Sequence, residues 1–221
     1  MTLSVVIPAH GRAELLVRCL ASLSPGRQGG VDAEICVVDD GSGLDEGSIR
    51  STLGDASPHI VWRAYPMPKG RSAARNEGVR ATSGDIVIFL DSDMEAEPGF
   101  LGTHAAVHRD HPRSVAVGRI VWPRGGGFLR YIGSRGAAKL RPGDPVPPWY
   151  FVTGNASIGR KDLPPGDPFD ESIPGWGGED LDLGLSLARN GVGFVHAPDA
   201  VSIHNFTGTL DGHLERTRSY G

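Results

Sequence analysis

The sequence predicts a single α/β domain with a mostly parallel central sheet flanked by helices. Two observations support this fold class. Short apolar segments alternate with segments in which apolar residues recur at helical spacing, as expected for right-handed strand–helix–strand units. In addition, residues 86–90 are apolar at every position, and such a run is typical of a parallel strand that is buried on both faces.

The elements follow in chain order. We predict strands at residues 3–7, 34–38, 60–65, 86–90, 114–121 and 201–203, and helices at about 15–23, 72–81, 99–111 and after Gly178. Residues 123–148 are rich in glycine and proline and show little periodicity, with some helical pattern at 128–140. Because long loops in compact domains usually bind ligands or are disordered, we expect a mobile substrate loop there rather than a passive insertion.

Composition and charge limit the classes of partner and the cellular location that we expect. The chain has 221 residues, of which 39% are hydrophobic, and a net charge of −4, which argues against a nucleic-acid partner. It has neither an apolar run of about 18 residues nor a signal-peptide pattern, so we expect no transmembrane segment and a cytoplasmic location. Cys19 and Cys36 fall within apolar patterns and are expected to be reduced core residues.

Two carboxylates end the most apolar strand. Asp91 and Asp93, separated by Ser92, follow residues 86–90, and ligands of open α/β sheets gather at the carboxyl ends of strands. Two aspartates with one spacer suit a hard divalent cation that bridges a diphosphate. The alternative is a helix N-cap. A cap needs only one aspartate, however, and Glu95 and Glu97 add further acid, so we favour a metal site.

Other nucleotide signatures are absent or weak. The sequence contains no P-loop, and Gly41-Ser42-Gly43 lacks the third glycine of a dinucleotide fingerprint. Asp39 and Asp40 precede it, and carboxylates at a strand end are better placed to accept from a base N–H or a ribose hydroxyl.

A second acidic segment and several histidines are further candidates. Residues 175–182 place Glu179, Asp180 and Asp182 after a glycine-rich loop that contains Trp176, although acids are also favoured in the first turn of any helix. His104, His108 and His111 have helical spacing and are expected to be solvent-exposed. His204 follows a short apolar strand, where a lone histidine is more often structural than a ligand.

Five segments together resemble glycosyltransferase family 2 of the GT-A fold. They are residues 5–12, 37–42, 74–78, 89–93 and 175–183, and the last is similar to the acceptor-side motif of galactosyltransferases and chondroitin polymerase. The resemblance implies one GT-A domain over residues 1–221, with a nucleotide-binding half at 1–97 and an acceptor half at 98–221.

The resemblance also implies an activity. It implies a Mn²⁺- or Mg²⁺-dependent enzyme that moves a hexose or N-acetylhexosamine from a nucleotide-sugar, usually a UDP-sugar, to an acceptor hydroxyl with inversion. The acceptor, whether glycan, lipid or small molecule, and the oligomeric state are not indicated. A retaining transferase and a non-catalytic nucleotide-sugar-binding module are the alternatives. Family members often carry C-terminal extensions for membranes or acceptors, and without one a membrane-bound or polymerising activity is not expected.

The residue roles implied by the resemblance fall into three groups. Asp180 would be the catalytic base, and Glu179 would bind the acceptor or orient its loop. Asp93 and His204 would hold the metal. Residues near the nucleotide-sugar would be Pro8, His10, Arg12, Asp40, Arg71, Arg75, Asp91, Ser92, Gly154, Asn155 and Trp176. For Gly154 and Asn155 a core strand is an equal alternative, as a surface cation is for Arg75.

Overall fold

The computed structural model describes residues 1–123, 126–140, 144–173, 177–205, 210, 211 and 214. Its strands are β1 (Leu3–Ala9), β2 (Glu34–Asp39), β3 (Ile60–Ala64), β4 (Ile86–Leu90), β5 (Met94–Ala96), β6 (Ser114–Val121), β7 (Asn155–Gly159) and β8 (Gly193–His204). Its α-helices are α1 (Ala13–Ser22), α2 (Glu46–Leu53), α3 (Arg71–Arg80), α4 (Phe100–Asp110), α5 (Gly127–Gly133) and α6 (Glu179–Arg189).

All the described strands form one sheet in the order β3-β2-β1-β4-β7-β6-β8-β5. The first four pair in parallel, whereas β7 runs antiparallel to β4 and β6. Because β1, β2 and β4 are parallel, their carboxyl ends meet at one edge of the sheet. The predicted α/β fold with a mostly parallel sheet is confirmed.

Strand alternation divides the core into two layers. Odd positions of β1, such as Val5 and Ile7, pack in one buried cluster with α1 and with Phe100 of α4. Even positions, such as Val6, pack in a second cluster with Phe89 and the α6 residue Leu187. This is the period-2 pattern of strands that are buried on both faces. The sheet edge formed by the carboxyl ends of β1, β2 and β4 is therefore held from both sides by packed helices.

Helix α3 lies unusually close to the sheet. A Cβ added to Gly78 would come within 2.3 Å of Val6 Cγ1, so only glycine allows this approach. The small side chains Ala73 and Ala74 are buried along the same helix. The close packing brings Arg75 to the level of the strand ends.

Several elements differ from the sequence prediction. Helix α2, strand β5 and the first part of β8 were not predicted, and β1 continues through Pro8 to Ala9. Within the predicted loop, residues 127–133 and 136–139 are helical, in agreement with the helical pattern at 128–140. Both cysteines are buried and free, as predicted. In the described part of the chain, helices of a length and apolarity sufficient to cross a membrane are absent.

Candidate active site

The candidate metal ligands Asp93 and His204 lie side by side. His204 Nε2 is 3.6 Å from Asp93 Oδ1. Strand pairing produces this contact, because Met94 of β5 pairs with His204 of β8 and the Asn205 amide donates to the Asp93 carbonyl at 2.8 Å. The indole of Trp122 packs on the imidazole of His204, with 4.3 Å between ring centroids.

These two side chains fit a divalent ion. Two ligand atoms 3.6 Å apart can both lie about 2.1 Å from one ion, and carboxylate with imidazole is a donor set that Mn²⁺ accepts. Among the residues that the structure describes, a preformed cluster of three or more His, Cys, Asp or Glu ligands is absent. Asp93 and His204 would therefore supply only part of the coordination sphere.

The electrostatics of Asp93 favour a cation. Burial, chiefly, and the nearby charge of Asp91 raise the pKa of Asp93, whereas His204 and Arg12 oppose the shift. Arg12 Nη1 lies 3.6 Å from Asp93 Oδ2. A carboxylate that is partly desolvated next to a second carboxylate gains from a positive ion.

Arg12 is held there by an uncommon backbone. Gly11 and Arg12 both have positive φ, 63° and 54°, a region that costs energy for a residue with a side chain. The Gly11 amide donates to Ser42 Oγ at 2.7 Å, and Ser42 is anchored on the buried Asp39. Asp39 therefore connects the β1 and β2 loops, a role that the sequence analysis did not assign.

The carboxylate of Asp40 contacts the backbone just before α3. Its Oδ1 accepts from the Lys69 amide at 2.6 Å, and its Oδ2 accepts from the Gly70 amide at 3.0 Å. His10 Nδ1 lies 2.8 Å from the Asp40 carbonyl. Pro8 is half-buried and His10 is exposed. Their roles towards a nucleotide, and that of Asp40, remain predictions.

Arg75 is the centre of a buried charge cluster. The side chain is 1% exposed. Nη1 is 3.0 Å from Glu179 Oε1 and 3.8 Å from Asp180 Oδ1, and Nη2 is 3.4 Å from Asp91 Oδ1. Burial lowers the pKa of Arg75, but the three carboxylates outweigh it and raise the pKa overall. The burial of Arg75 contradicts the surface-cation alternative. Its guanidinium is enclosed by protein carboxylates, which favours a structural role over the predicted place near the nucleotide-sugar.

Asp180 is held by Thr153. Thr153 Oγ1 donates to Asp180 Oδ1 at 2.8 Å, and the Thr153 amide donates to Oδ2 at 3.2 Å. Burial raises the pKa of Asp180, against the opposing effects of Arg75 and Thr153. Thr153 was missed by the sequence analysis. Its position beside Gly154 was visible, but nothing in the sequence pairs it with a residue 27 positions later.

The acidic residues in the first turn of α6 differ in solvent exposure. Glu179 is 5% exposed and lines a cavity of about 140 Å³ together with Lys69, Arg71 and Glu171, whereas Asp182 is exposed. Arg71, at the start of α3, thus lies near Glu179. Ser92 is half-buried in the turn between β4 and β5. Trp176 lies outside the described residues.

Gly154 and Asn155 differ in position. A Cβ on Gly154 would lie 3.2 Å from Asp91 Oδ2, so Gly154 borders the carboxylate edge and its predicted sugar role stands as a prediction. Asn155 is fully buried, and its amide donates to the Ala200 carbonyl at 2.9 Å. Its amide is used inside the core, which favours the core-strand alternative for Asn155 over the predicted sugar contact.

The expected exposure of the α4 histidines is wrong for two of them. His104 and His108 are buried, at 0% and 7% exposed, and both contact Ser157 Oγ at 2.8 Å. Burial, chiefly, lowers the pKa of His104 to about 3 and that of His108 to about 4. His111 is exposed, as predicted.

Comparison with known proteins supports the family resemblance. The sequence profile described as Glycosyl transferase family 2 matches residues 4–163. The glycosyltransferase YfnE of Bacillus subtilis is 27% identical over 92% of the chain and 64% of its own length. A pre-mycofactocin glycosyltransferase of Mycobacterium tuberculosis is 30% identical over 99% of the chain and 46% of its own length. The chain thus spans about half to two thirds of these relatives.

Solved structures show the same fold. TarS of Staphylococcus aureus in complex with UDP-GlcNAc has a TM-score of 0.73 at 18% identity, over 95% of this chain and 60% of the other. The mannosyltransferase PcManGT of Pyrobaculum calidifontis in complex with GDP-Man and Mn²⁺ has a TM-score of 0.72 at 19% identity, over 98% and 60%. The predicted GT-A fold is confirmed.

Proposed function

Because the chain belongs to glycosyl transferase family 2, we propose that it transfers a sugar from a nucleotide-sugar to an acceptor hydroxyl. The reaction uses a divalent metal ion and inverts the anomeric configuration. One observation carries the proposal. A single guanidinium, that of Arg75, contacts both Asp91 at the end of β4 and Asp180 at the start of α6. The donor-side and acceptor-side motifs therefore converge on one edge of the sheet.

The donor is a nucleoside-diphosphate sugar. TarS and PcManGT, which share the fold, were solved with UDP-GlcNAc and GDP-Man. In this chain Asp91 and Asp40 are carboxylates at strand ends, suited to ribose or base donors, and Arg12 supplies a positive charge beside Asp93. Of the candidate bases we propose uridine, the base that the family resemblance implies, and Asp40 has lone pairs left to accept from its ring N–H.

Asp93 and His204 would hold the metal ion. When bound, the ion would neutralise charge on the departing diphosphate. The donor's oxygens and water would fill the positions that the protein leaves open. Arg12 would then exchange its contact with Asp93 for one with the nucleotide, since the Arg12 side chain is 53% exposed and free to turn.

Asp180 takes the proton of the acceptor hydroxyl. A carboxylate offers about four acceptor sites, and Thr153 uses two of them. The raised pKa of Asp180 makes it a stronger base than an ordinary aspartate. As the proton leaves, the acceptor oxygen attacks the anomeric carbon from the face opposite the diphosphate, and one displacement inverts the configuration.

The proposal is tested with donors and product together. Thermal shift with UDP-, GDP- and dTDP-sugars, each with and without Mn²⁺, identifies the donor as the one that raises the melting temperature only with metal. NMR of the glycosylated product then reads the anomeric configuration. We expect a UDP-sugar and an inverted product. A retained configuration would contradict the mechanism, and a lack of stabilisation by every donor would contradict the function.

A further inference from the structure

A chain of buried hydrogen bonds leads from α4 to the end of β8. His108 Nε2 and His104 Nδ1 each lie 2.8 Å from Ser157 Oγ, and His104 Nε2 lies 3.1 Å from Asn155 Oδ1. Asn155 Nδ2 lies 2.9 Å from the Ala200 carbonyl and 3.0 Å from Ser202 Oγ. His104, Asn155, Ser157 and Ser202 are all 0% exposed.

The chain fixes its own proton positions. The Ala200 carbonyl can only accept, so the Asn155 NH₂ group faces β8 and Oδ1 faces His104. His104 must therefore donate from Nε2, which leaves Nδ1 to accept the Ser157 hydroxyl proton. Ser157 in turn accepts from His108 Nε2–H. Both imidazoles are neutral in this arrangement, which agrees with the lowered pKa values of His104 and His108.

Asn155 lies where β8 departs from regular pairing. Gly118 of β6 pairs with Ala197, but the next residue, Arg119, pairs with Val201. Residues 198–200 are thus a bulge, and the Asn155 amide satisfies the Ala200 carbonyl within it. A Cβ on Gly118 would lie 2.0 Å from Asn155 Oδ1. The missing side chain at Gly118 makes room for Asn155.

The bulge decides which residue of β8 meets Asp93. Beyond it, β8 pairs with β5 so that Ser202 is opposite Ala96 and His204 is opposite Met94. A shift of β8 by one residue would turn His204 to the other face of the sheet. We propose that Asn155, oriented by His104, is a positioning residue that holds β8 in the register that sets His204 against Asp93. The inference rests on the proposed function, in which Asp93 and His204 bind the metal.

Asn155→Asp tests the inference with little change in size. An ionised aspartate cannot donate to the Ala200 carbonyl, and a protonated one offers a single O–H in place of the two N–H donors that face Ala200 and Ser202. We expect faster amide hydrogen exchange at residues 200–205 in the metal-free protein. Calorimetric titration of Mn²⁺ in the presence of UDP should show affinity weakened by about tenfold or more, the scale seen when residues behind metal ligands are changed.

Thr82→Val is the matched control. Thr82 is buried and donates to the Gly78 carbonyl at 2.8 Å. It lies between the end of α3 and the start of β4, and so near the opposite edge of the sheet. We expect this variant to leave exchange at residues 200–205 and Mn²⁺ affinity unchanged. If Asn155→Asp does not fold, Ser157→Ala keeps the amide but removes the hydroxyl that fixes the His104 tautomer, and a smaller change in the same direction is expected.

Two results would overturn the inference. One is hydrogen exchange at residues 200–205 that equals wild type in Asn155→Asp and in Ser157→Ala. The other is faster exchange with unchanged Mn²⁺ affinity, which would show that β8 is held but His204 needs no positioning. Failure of the proposed metal site is distinguishable, because it is seen as absent Mn²⁺ binding in the wild type. In that case exchange alone decides whether Asn155 holds β8.

Discussion

Arg75 Nη1 and Glu179 Oε1 lie 3.0 Å apart inside the protein, with both side chains almost fully buried. The pair joins α3 to α6. Because Asp91 and Asp180 contact the same guanidinium, the positions of these two carboxylates depend on Arg75. We place Arg75 behind the site, where it sets geometry and charge without contacting substrate.

Replacement of Arg75 by methionine should be strongly destabilising. Glu179 and Asp180 would stay buried without their countercharge, and loss of one partner of a buried pair typically costs about 3–5 kcal/mol. Urea unfolding measures the free energy of unfolding. Arg80→Met is the control, because Arg80 pairs with Glu77 at the surface and such pairs contribute below about 1 kcal/mol. Equal losses in the two variants would show that the Arg75 cluster has no special role.

Removal of the Asp93 carboxylate should abolish metal-dependent nucleotide binding. Asp93→Asn keeps size and polarity but loses the charge that attracts the ion, so we expect UDP affinity in Mn²⁺ to fall to its metal-free value while the melting temperature changes little. Glu95→Gln is the control, since Glu95 is similarly exposed and pairs with Arg18 instead. Calorimetry that gives unchanged UDP affinity for Asp93→Asn would exclude the proposed metal site.

Residues 126–140 should become protected when donor binds. Helix α5 buries none of its side chains, so its backbone is held by few contacts and should exchange readily. We expect slower hydrogen exchange there on addition of UDP and Mn²⁺, with no change in β4, which is fully buried already. Equal exchange at 126–140 with and without ligand would rule out closure of this segment.

The buried histidines should make the fold acid-sensitive. The unfolded pKa of His108 is near 6.5 and its folded pKa is about 4. The folded state thus favours the neutral imidazole, so the contribution of His108 to the free energy of unfolding is complete above pH 6.5. It is lost as the pH falls towards 4. From pH 7.5 to 5.5 one such histidine lowers the free energy of unfolding by about 1.4 kcal/mol. His108→Gln should remove this part of the pH dependence, whereas His111→Gln, at an exposed site, should keep it. Unfolding curves at the two pH values that are equally spaced in wild type and His108→Gln would contradict the assignment.

The strands of the first half were predictable because their signal is local. Residues 86–90 are apolar throughout, and that alone indicates a strand buried on both faces. The first part of β8 gave no such signal, because its burial changes irregularly along the bulge. Helix α2 was missed because only Ile49 and Leu53 are buried in it, too few to show a period.

The site was predictable where side chains follow a strand and unpredictable where they depend on packing. Asp91 and Asp93 are fixed by β4. The environment of Arg75 depends instead on Glu179, which lies 104 residues later in the sequence. The burial of His104 and His108 did have a signal: both share with Phe100 the four-residue spacing of one helical face, and Phe100 belongs to the core.

We propose that Asp180 removes the acceptor proton, and the turnover of Asp180→Asn measures this step. Donor binding, measured by calorimetry with UDP and Mn²⁺, should remain, while transfer should fall by about 10²-fold or more, the usual scale for a general base. Asp182→Asn is the matched control, because Asp182 is exposed on the same helix, and its turnover should stay near wild type. Near-wild-type transfer by Asp180→Asn would exclude Asp180 as the base.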